Sequence, residues 1–245
     1  MCFSSEVSLT AFTLNVLCAL YLLYNGIKYK NKDDLIFGII IVLIGLIQFV
    51  EYIIWNNQSC NMINHYATLF IPLVLYLQPV IGFIAYFKFF PEKKFPTIIS
   101  QSTISILSIL YTFVTLYYIY ILNQSNLCSK PSPESCRLMW GLFDNLSIQK
   151  FIIMSLFSFF WGILAALLYI FLYLNGDSYK YPGRYLIVPI TWLIAVIYVG
   201  YTEITYNYEM KVYDFNHTIY NFMHVFGSVW CFLAVVEALT AVLYI

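Results

Sequence analysis

The sequence predicts an all-α integral membrane protein, a bundle of seven transmembrane helices in a single domain over residues 1–245. The 245-residue chain is 62% hydrophobic and only 10% charged, whereas soluble domains carry about 25% charged residues. Apolar stretches of about 20 residues, the length that crosses a hydrocarbon core of about 30 Å, recur along the whole chain. None of them alternates apolar and polar residues in the way of a membrane β-strand.

The apolar runs predict the individual helices. In order, the predicted spans are 7–27, 35–55, 66–88, 97–121, 151–174, 184–204 and 217–243. Polar segments separate the first four: "KYKNKDD", then "NNQSCNMINH", then "KFFPEKKFP". A long polar loop follows the fourth helix, and "NGDSYKYPGR" and "YNYEMKVYDFN" separate the last three. The chain is therefore expected to cross the membrane several times.

The distribution of Lys and Arg predicts the orientation, because cytoplasmic loops carry an excess of both. The loops after helices 1, 3 and 5 contain Lys28, Lys30, Lys32, Lys88, Lys93, Lys94, Lys180 and Arg184. The loops after helices 2, 4 and 6 contain only Lys130, Arg137, Lys150 and Lys211. The N-terminus is therefore expected outside (or in a lumen) and the C-terminus in the cytosol. The N-glycosylation sequons fall on the predicted outer side, at Asn57, Asn123, Asn145 and Asn216.

Four of the six cysteines also fall on the predicted outer side, where disulfides persist. They are Cys2, Cys60, Cys128 and Cys136. Four cysteines permit three sets of pairings, and the favoured set joins Cys2 to Cys60 and Cys128 to Cys136. The remaining two, Cys18 and Cys231, lie within spans and are interpreted as small core residues.

Glu51 is an ionisable residue inside the apolar run of helix 2. Such a side chain costs about 3 kcal/mol on membrane-insertion scales and usually faces the bundle interior. Helical spacing places Gln48 and Glu51 on one stripe with Gly45, Tyr52 and Trp55. Two interpretations stay open: a buried carboxyl that hydrogen-bonds across helices, or part of a functional site.

Three other helices offer polar residues to the same interior. In helix 7, His224 shares a face with His217, Asn221 and Ser228, at a depth close to that of Glu51. Gln78 precedes Pro79 in helix 3, where a kink opens space. Asn15 in helix 1 is a weaker candidate, and Glu237 lies on a different face of helix 7. The predicted site is a polar pocket in the outer half of the bundle, formed by Gln48, Glu51, Gln78, Glu203 and His224. Each of these residues also has an ordinary structural interpretation, such as an interfacial carboxylate for Glu203.

Two short motifs carry a resemblance. The chain opens with "MCFS", and helix 2 carries Gly45, Gln48, Glu51 and Trp55 in the pattern Gly-x-x-Gln-x-x-Glu-x-x-x-Trp. Together these motifs resemble a group of uncharacterised multi-pass membrane proteins, mostly bacterial, that share both. The resemblance implies a multi-pass fold and no activity. It marks Cys2, Ser4, Gln48, Glu51 and Trp55 for testing.

Composition and motifs reduce the number of functional classes that the chain could belong to. The net charge is zero and no basic block occurs, so nothing indicates a nucleic-acid partner. A retinal cofactor is disfavoured because helix 7 contains no lysine for a Schiff base. The sequence favours binding or transport of a small molecule, ion or lipid in the bilayer over catalysis.

Two alternatives remain open. A structural or assembly protein without a ligand would need only a buried pairing of Glu51 with His224. An intramembrane metal-dependent hydrolase would need a mixed site of His224, Glu51 and Glu203, because His217 and His224 lie about 10 Å apart along the helix. The sequence identifies no catalytic residue and leaves the metal, the ligand, the host membrane and the oligomeric state open.

Overall fold

The structure is a computed structural model that describes residues 4–91, 100–131, 138–143, 147–176, 182–210, 229, 233 and 235–243. Within this part of the chain, six long helices dominate: α1 (Ser5–Tyr29), α2 (Lys32–Trp55), α3 (Met62–Phe89), α4 (Gln101–Asn123), α5 (Ile148–Asn175) and α6 (Pro182–Met210). Between α4 and α5 lie a two-stranded antiparallel ladder, β1 (Lys130–Pro131) and β2 (Leu138–Met139), and the short 3-10 helix Gly141–Phe143.

Each of the six helices contains a segment that is long and apolar enough to cross a membrane. The prediction of an all-α, multi-pass integral membrane protein is therefore confirmed. The seventh predicted span, 217–243, lies mostly outside the described residues, although residues 235–243 are helical. The count of seven spans stays a prediction.

Side-chain caps set where the helices begin: α2 begins before the predicted apolar run, whereas α4 begins at Gln101, inside the predicted span 97–121. At α2, the Asn31 side chain accepts hydrogen bonds from the backbone N–H groups of Asp33 (3.0 Å) and Asp34 (3.3 Å), and so satisfies donors that have no partner within the helix. The same function is performed at α1, α3, α4 and α5 by Ser4, Asn61, Ser100 and Ser147. Because capping is independent of hydropathy, α2 begins at Lys32 rather than at the predicted residue 35.

Small residues let α1 and α2 approach closely. A methyl group added at Gly38 would lie 3.2 Å from the carbonyl oxygen of Ala19, and one added at Gly45 would lie 2.9 Å from the Cβ of Asn15. Transmembrane helices commonly pack through such small residues, because lipid provides no hydrophobic force that brings helices together. Cys18 is buried beside this contact, which confirms its interpretation as a core residue.

The main core lies among α2, α3, α4, α5 and α6 and is rich in aromatic side chains. Tyr86 of α3 stacks on Phe171 of α5 with ring centroids 5.8 Å apart, and Tyr111 of α4 contacts Phe157 of α5 at 5.3 Å. A second, smaller cluster joins Ala238 and Ala241 to α1 and α2. The segment 235–243 therefore packs on the α1–α2 pair, and the exposed apolar side chains of α4, α5 and α6 are left for lipid.

The disulfide arrangement corrects the favoured pairing. Cys60, before α3, is bonded to Cys128, after α4, with Cα atoms 5.0 Å apart. Pairing Cys60 with Cys2 and Cys128 with Cys136 is therefore wrong, although Cys2 and Cys136 themselves lie outside the described residues. The physical reason is a polar contact beside Cys128: the Asn64 amide donates to the Ser129 carbonyl (2.8 Å) and accepts from the Ser129 N–H (2.9 Å). We call this end of the bundle the disulfide end.

Candidate functional site

Glu51 lies near the disulfide end of α2 and is 1% exposed. Its Oε2 accepts a hydrogen bond from Gln48 Nε2 (3.1 Å), as their spacing on one helical face predicts. Its Oε1 accepts a hydrogen bond from the indole Nε1 of Trp140 (2.9 Å), which is 4% exposed. Glu51 therefore ties α2 to the loop between α4 and α5. Sequence reasoning missed Trp140, because nothing in its local sequence distinguishes it from other loop aromatics.

The loop around Trp140 is held in place by contacts with Ser129 and Cys128. The Ser129 hydroxyl accepts from the Gly141 N–H (2.9 Å) and bonds to Thr68 Oγ1 of α3 (2.8 Å). Gly141 packs so closely on Cys128 that an added Cβ would lie 2.6 Å from the Cys128 carbonyl oxygen. Only glycine leaves room for this approach. The Trp140–Glu51 bond is therefore part of a packed cap over the ends of α2 and α3.

Gln78 lies in a different place, on the wall of a cavity of about 120 Å³. It is 7% exposed, and its amide nitrogen has no hydrogen-bond partner among the residues that the structure describes. The charged residues of the lining are Arg184 and Glu237; Trp161 and Tyr169 add an indole and a phenol, and the rest of the wall is apolar. The lining includes neither Gln48 nor Glu51.

Arg184, which lines this cavity, belongs to a buried ion pair. Arg184 is 1% exposed; its guanidinium donates to Asp34 Oδ1 (2.8 Å) and to the carbonyl oxygen of Ala241 (2.6 Å), and it lies 5.3 Å from the ring centroid of Phe37. Next to it, the Tyr185 hydroxyl donates to Asp33 Oδ2 (2.7 Å). Arg184, one of the cations counted for the orientation, is therefore an interior residue that joins α6 to α2 and to segment 235–243.

Glu237 also lines the cavity and is 5% exposed. It accepts a hydrogen bond from the hydroxyl of Thr191 in α6. Sequence analysis separated Glu237 from the face of His224 but assigned it no site. It missed Arg184 and Asp34 as a pair, because 150 residues separate them along the chain.

The other members of the predicted pocket are outside the structural description. The backbone of Glu203 belongs to α6, but its side chain is not among the described groups, and neither is His224. The five-residue outer pocket therefore stays a prediction, of which the structure shows the Gln48–Glu51 contact. Asn15 is fully buried against Gly45, and neither of its amide atoms has a partner within the described ranges. No group of three His, Cys, Asp or Glu residues in those ranges could hold a metal ion.

Comparison of the chain with models of protein families, with curated proteins and with solved structures found no match. The resemblance carried by the "MCFS" opening and the helix 2 motif therefore stays a prediction. Any functional conclusion rests on the contacts described above.

Proposed function

We propose that this integral membrane protein binds a small molecule inside its helix bundle, in the cavity lined by Gln78, Arg184 and Glu237. The carrying observation is the buried Gln78 amide nitrogen, which lines the cavity without a partner among the described residues. A buried polar group without a hydrogen bond costs about 1–3 kcal/mol, and a ligand with an acceptor would remove that cost. Ligand sites typically combine an apolar wall with a few polar groups, as this one does.

Contacts between the helices that line the cavity hold its walls in place without a ligand. Arg184 connects α6 to α2 through Asp34 and to segment 235–243 through Ala241. The Tyr169 hydroxyl of α5 donates to the carbonyl oxygen of Tyr185 in α6. Preformed walls reduce the ordering cost of binding. The same cavity could also serve transport, which requires the helices to move. Pro79 in α3 and Pro189 in α6 mark points where a helix can bend.

The proposed function is tested by ligand-dependent stabilisation of the purified protein, because a ligand that binds only the folded state raises its stability. Ala165 of α5 lines the cavity, and its neighbour Ala166 is exposed. We expect a screen to find compounds that stabilise the wild type and the control variant Ala166→Phe. The same compounds should not stabilise Ala165→Phe, in which the new ring fills the cavity. If every stabilising compound acts equally on both variants, the cavity is not the binding site.

We also infer that the chain has seven spans, with its N-terminus outside. The bond between Cys60 and Cys128 joins two loops that the charge bias places outside, where disulfides persist. The sequon residues Asn57 and Asn123 lie in the same region, and Asn123 is exposed. When the protein is made in the presence of glycosylating microsomes, we expect Asn123 to carry a glycan that is lost in Asn123→Gln. A glycan on a sequon engineered into the loop at Lys30 would contradict this orientation.

A structural role is the second candidate, and the Trp140–Glu51 bond favours it. In this alternative the protein binds no ligand, and Glu51, which is not part of the cavity wall, anchors the cap. Thermal stability of Glu51→Gln from pH 5 to pH 9 tests whether the carboxylate is needed for folding. A variant that stays as stable as the wild type indicates a use other than folding, whereas a collapse of stability indicates a structural one.

A further inference from the structure

The residues that line the cavity differ in exposure. Ile41, Ile44, Pro79, Leu168 and Leu172 are buried. The half-buried lining residues lie mostly on α5 and α6: Trp161, Ala165, Tyr169, Ile187 and Val188, with Phe37 and Ile40 on α2. These helices are long and apolar enough to cross a membrane, so in a bilayer the exposed parts of these side chains would face hydrocarbon rather than water. A molecule that reaches the cavity from the hydrocarbon must dissolve in the bilayer.

Both charged residues of the cavity wall already have hydrogen-bond partners within the protein. Arg184 binds Asp34 and the carbonyl oxygen of Ala241, and Glu237 accepts from Thr191. The Arg184 charge is already paired with Asp34, so a ligand carboxylate would bring a further negative charge into a buried site whose wall also holds Glu237, which is strongly unfavourable. The wall therefore favours an uncharged ligand.

The Gln78 amide nitrogen can only donate, so its complement is a hydrogen-bond acceptor such as a carbonyl oxygen. The cavity volume of about 120 Å³ sets the size. An engineered apolar cavity of about 150 Å³ takes one benzene molecule, so the part of a ligand that fits here is about the size of a single ring.

We propose that the ligand is an uncharged, lipid-soluble molecule whose ring-sized apolar group carries a carbonyl-type acceptor for Gln78 Nε2. This inference rests on the proposed function, since it assigns a ligand class to the same cavity. Gln78 is then the residue that selects for the acceptor, and the apolar wall selects for the ring.

The test uses three fluorinated probes of similar size on the full chain in lipid nanodiscs, followed by 19F NMR titration. They are 4-fluoroacetophenone, with an acceptor, 4-fluoroethylbenzene, without one, and 4-fluorobenzoate, with a charge. Ala165→Phe serves as the blank that corrects for partition into lipid. We expect the ketone to bind about five- to tenfold more tightly than ethylbenzene, the gain of one hydrogen bond. Benzoate is expected to show no binding above the blank.

Gln78→Leu should abolish the preference for the ketone, because without the amide donor the ketone binds no more tightly than 4-fluoroethylbenzene. Gln78→Met repeats the comparison if the leucine variant folds poorly. Equal preference in wild type and variant, or tightest binding of benzoate, would overturn the ligand class while the cavity remains a binding site. If no probe binds above the Ala165→Phe blank, the proposed function fails together with the inference.

Discussion

The Trp140–Glu51 hydrogen bond predicts that Trp140→Phe destabilises the fold. Phenylalanine keeps an aromatic ring but removes the N–H that Glu51 Oε1 accepts at 2.9 Å. Both residues are almost fully buried, so water cannot replace the lost donor. Removing one partner of a buried hydrogen bond costs about 1–3 kcal/mol, and we expect the free energy of unfolding to fall by about that amount. Equilibrium unfolding in mixed detergent micelles measures it.

Trp55→Phe is the matched control, because it makes the same chemical change at the same end of the bundle. Trp55 is half-buried, and its Nε1 is buried without a hydrogen-bond partner among the described residues. Removing that N–H should change the unfolding free energy by less than about 1 kcal/mol. Equal losses in Trp55→Phe and Trp140→Phe would refute the reasoning.

A double-mutant cycle then assigns the energy to the pair. Residues joined by a hydrogen bond show interaction energies of about 0.5–3 kcal/mol, whereas independent sites are additive. We therefore expect Trp140→Phe to cost less in a Glu51→Gln background than in the wild type. An additive cycle would mean that the two side chains do not stabilise each other, and the cap would have to be anchored by the disulfide and by Ser129 instead.

Three further changes probe other contacts by the same unfolding measurement. Gly141→Ala should lower the free energy of unfolding by about 1–3 kcal/mol, because the new methyl group meets the Cys128 backbone. Gly162→Ala in α5, which has open space around it, should be neutral or slightly stabilising. Equal effects of the two substitutions would contradict the close approach of Gly141 to Cys128. Asp34→Asn should lower the free energy of unfolding by about 3 kcal/mol, since it removes the carboxylate that pairs with the buried Arg184 charge. A neutral result would mean that the pair contributes nothing. The Cys60–Cys128 bond joins residues 68 positions apart, so reducing it should lower the free energy of unfolding by about 2–4 kcal/mol. An unchanged stability under reductant would contradict this prediction.

Local features of the chain allowed the helices to be predicted. Hydropathy depends only on the residues of each segment, so the predicted spans 35–55 and 66–88 lie within α2 and α3. The contact between Gln48 and Glu51 could be predicted for the same reason, because three-residue spacing on a helix places two side chains side by side. The caps extended the helices beyond these limits.

Contacts between distant residues were decided by the tertiary structure. Trp140 is 89 residues from Glu51 and Arg184 is 150 residues from Asp34, and no local pattern encodes such distances. Cys60 bonds to Cys128 because the Asn64–Ser129 contact brings their loops together. Gln78 likewise belongs to the cavity of Arg184 and Glu237 because of how the helices pack. The sequence by itself determined that this is a multi-pass helical membrane protein, since burial of apolar segments in lipid is a property of each segment. The partners of each polar residue were decided by packing, since a hydrogen bond requires two groups to meet within about 3 Å.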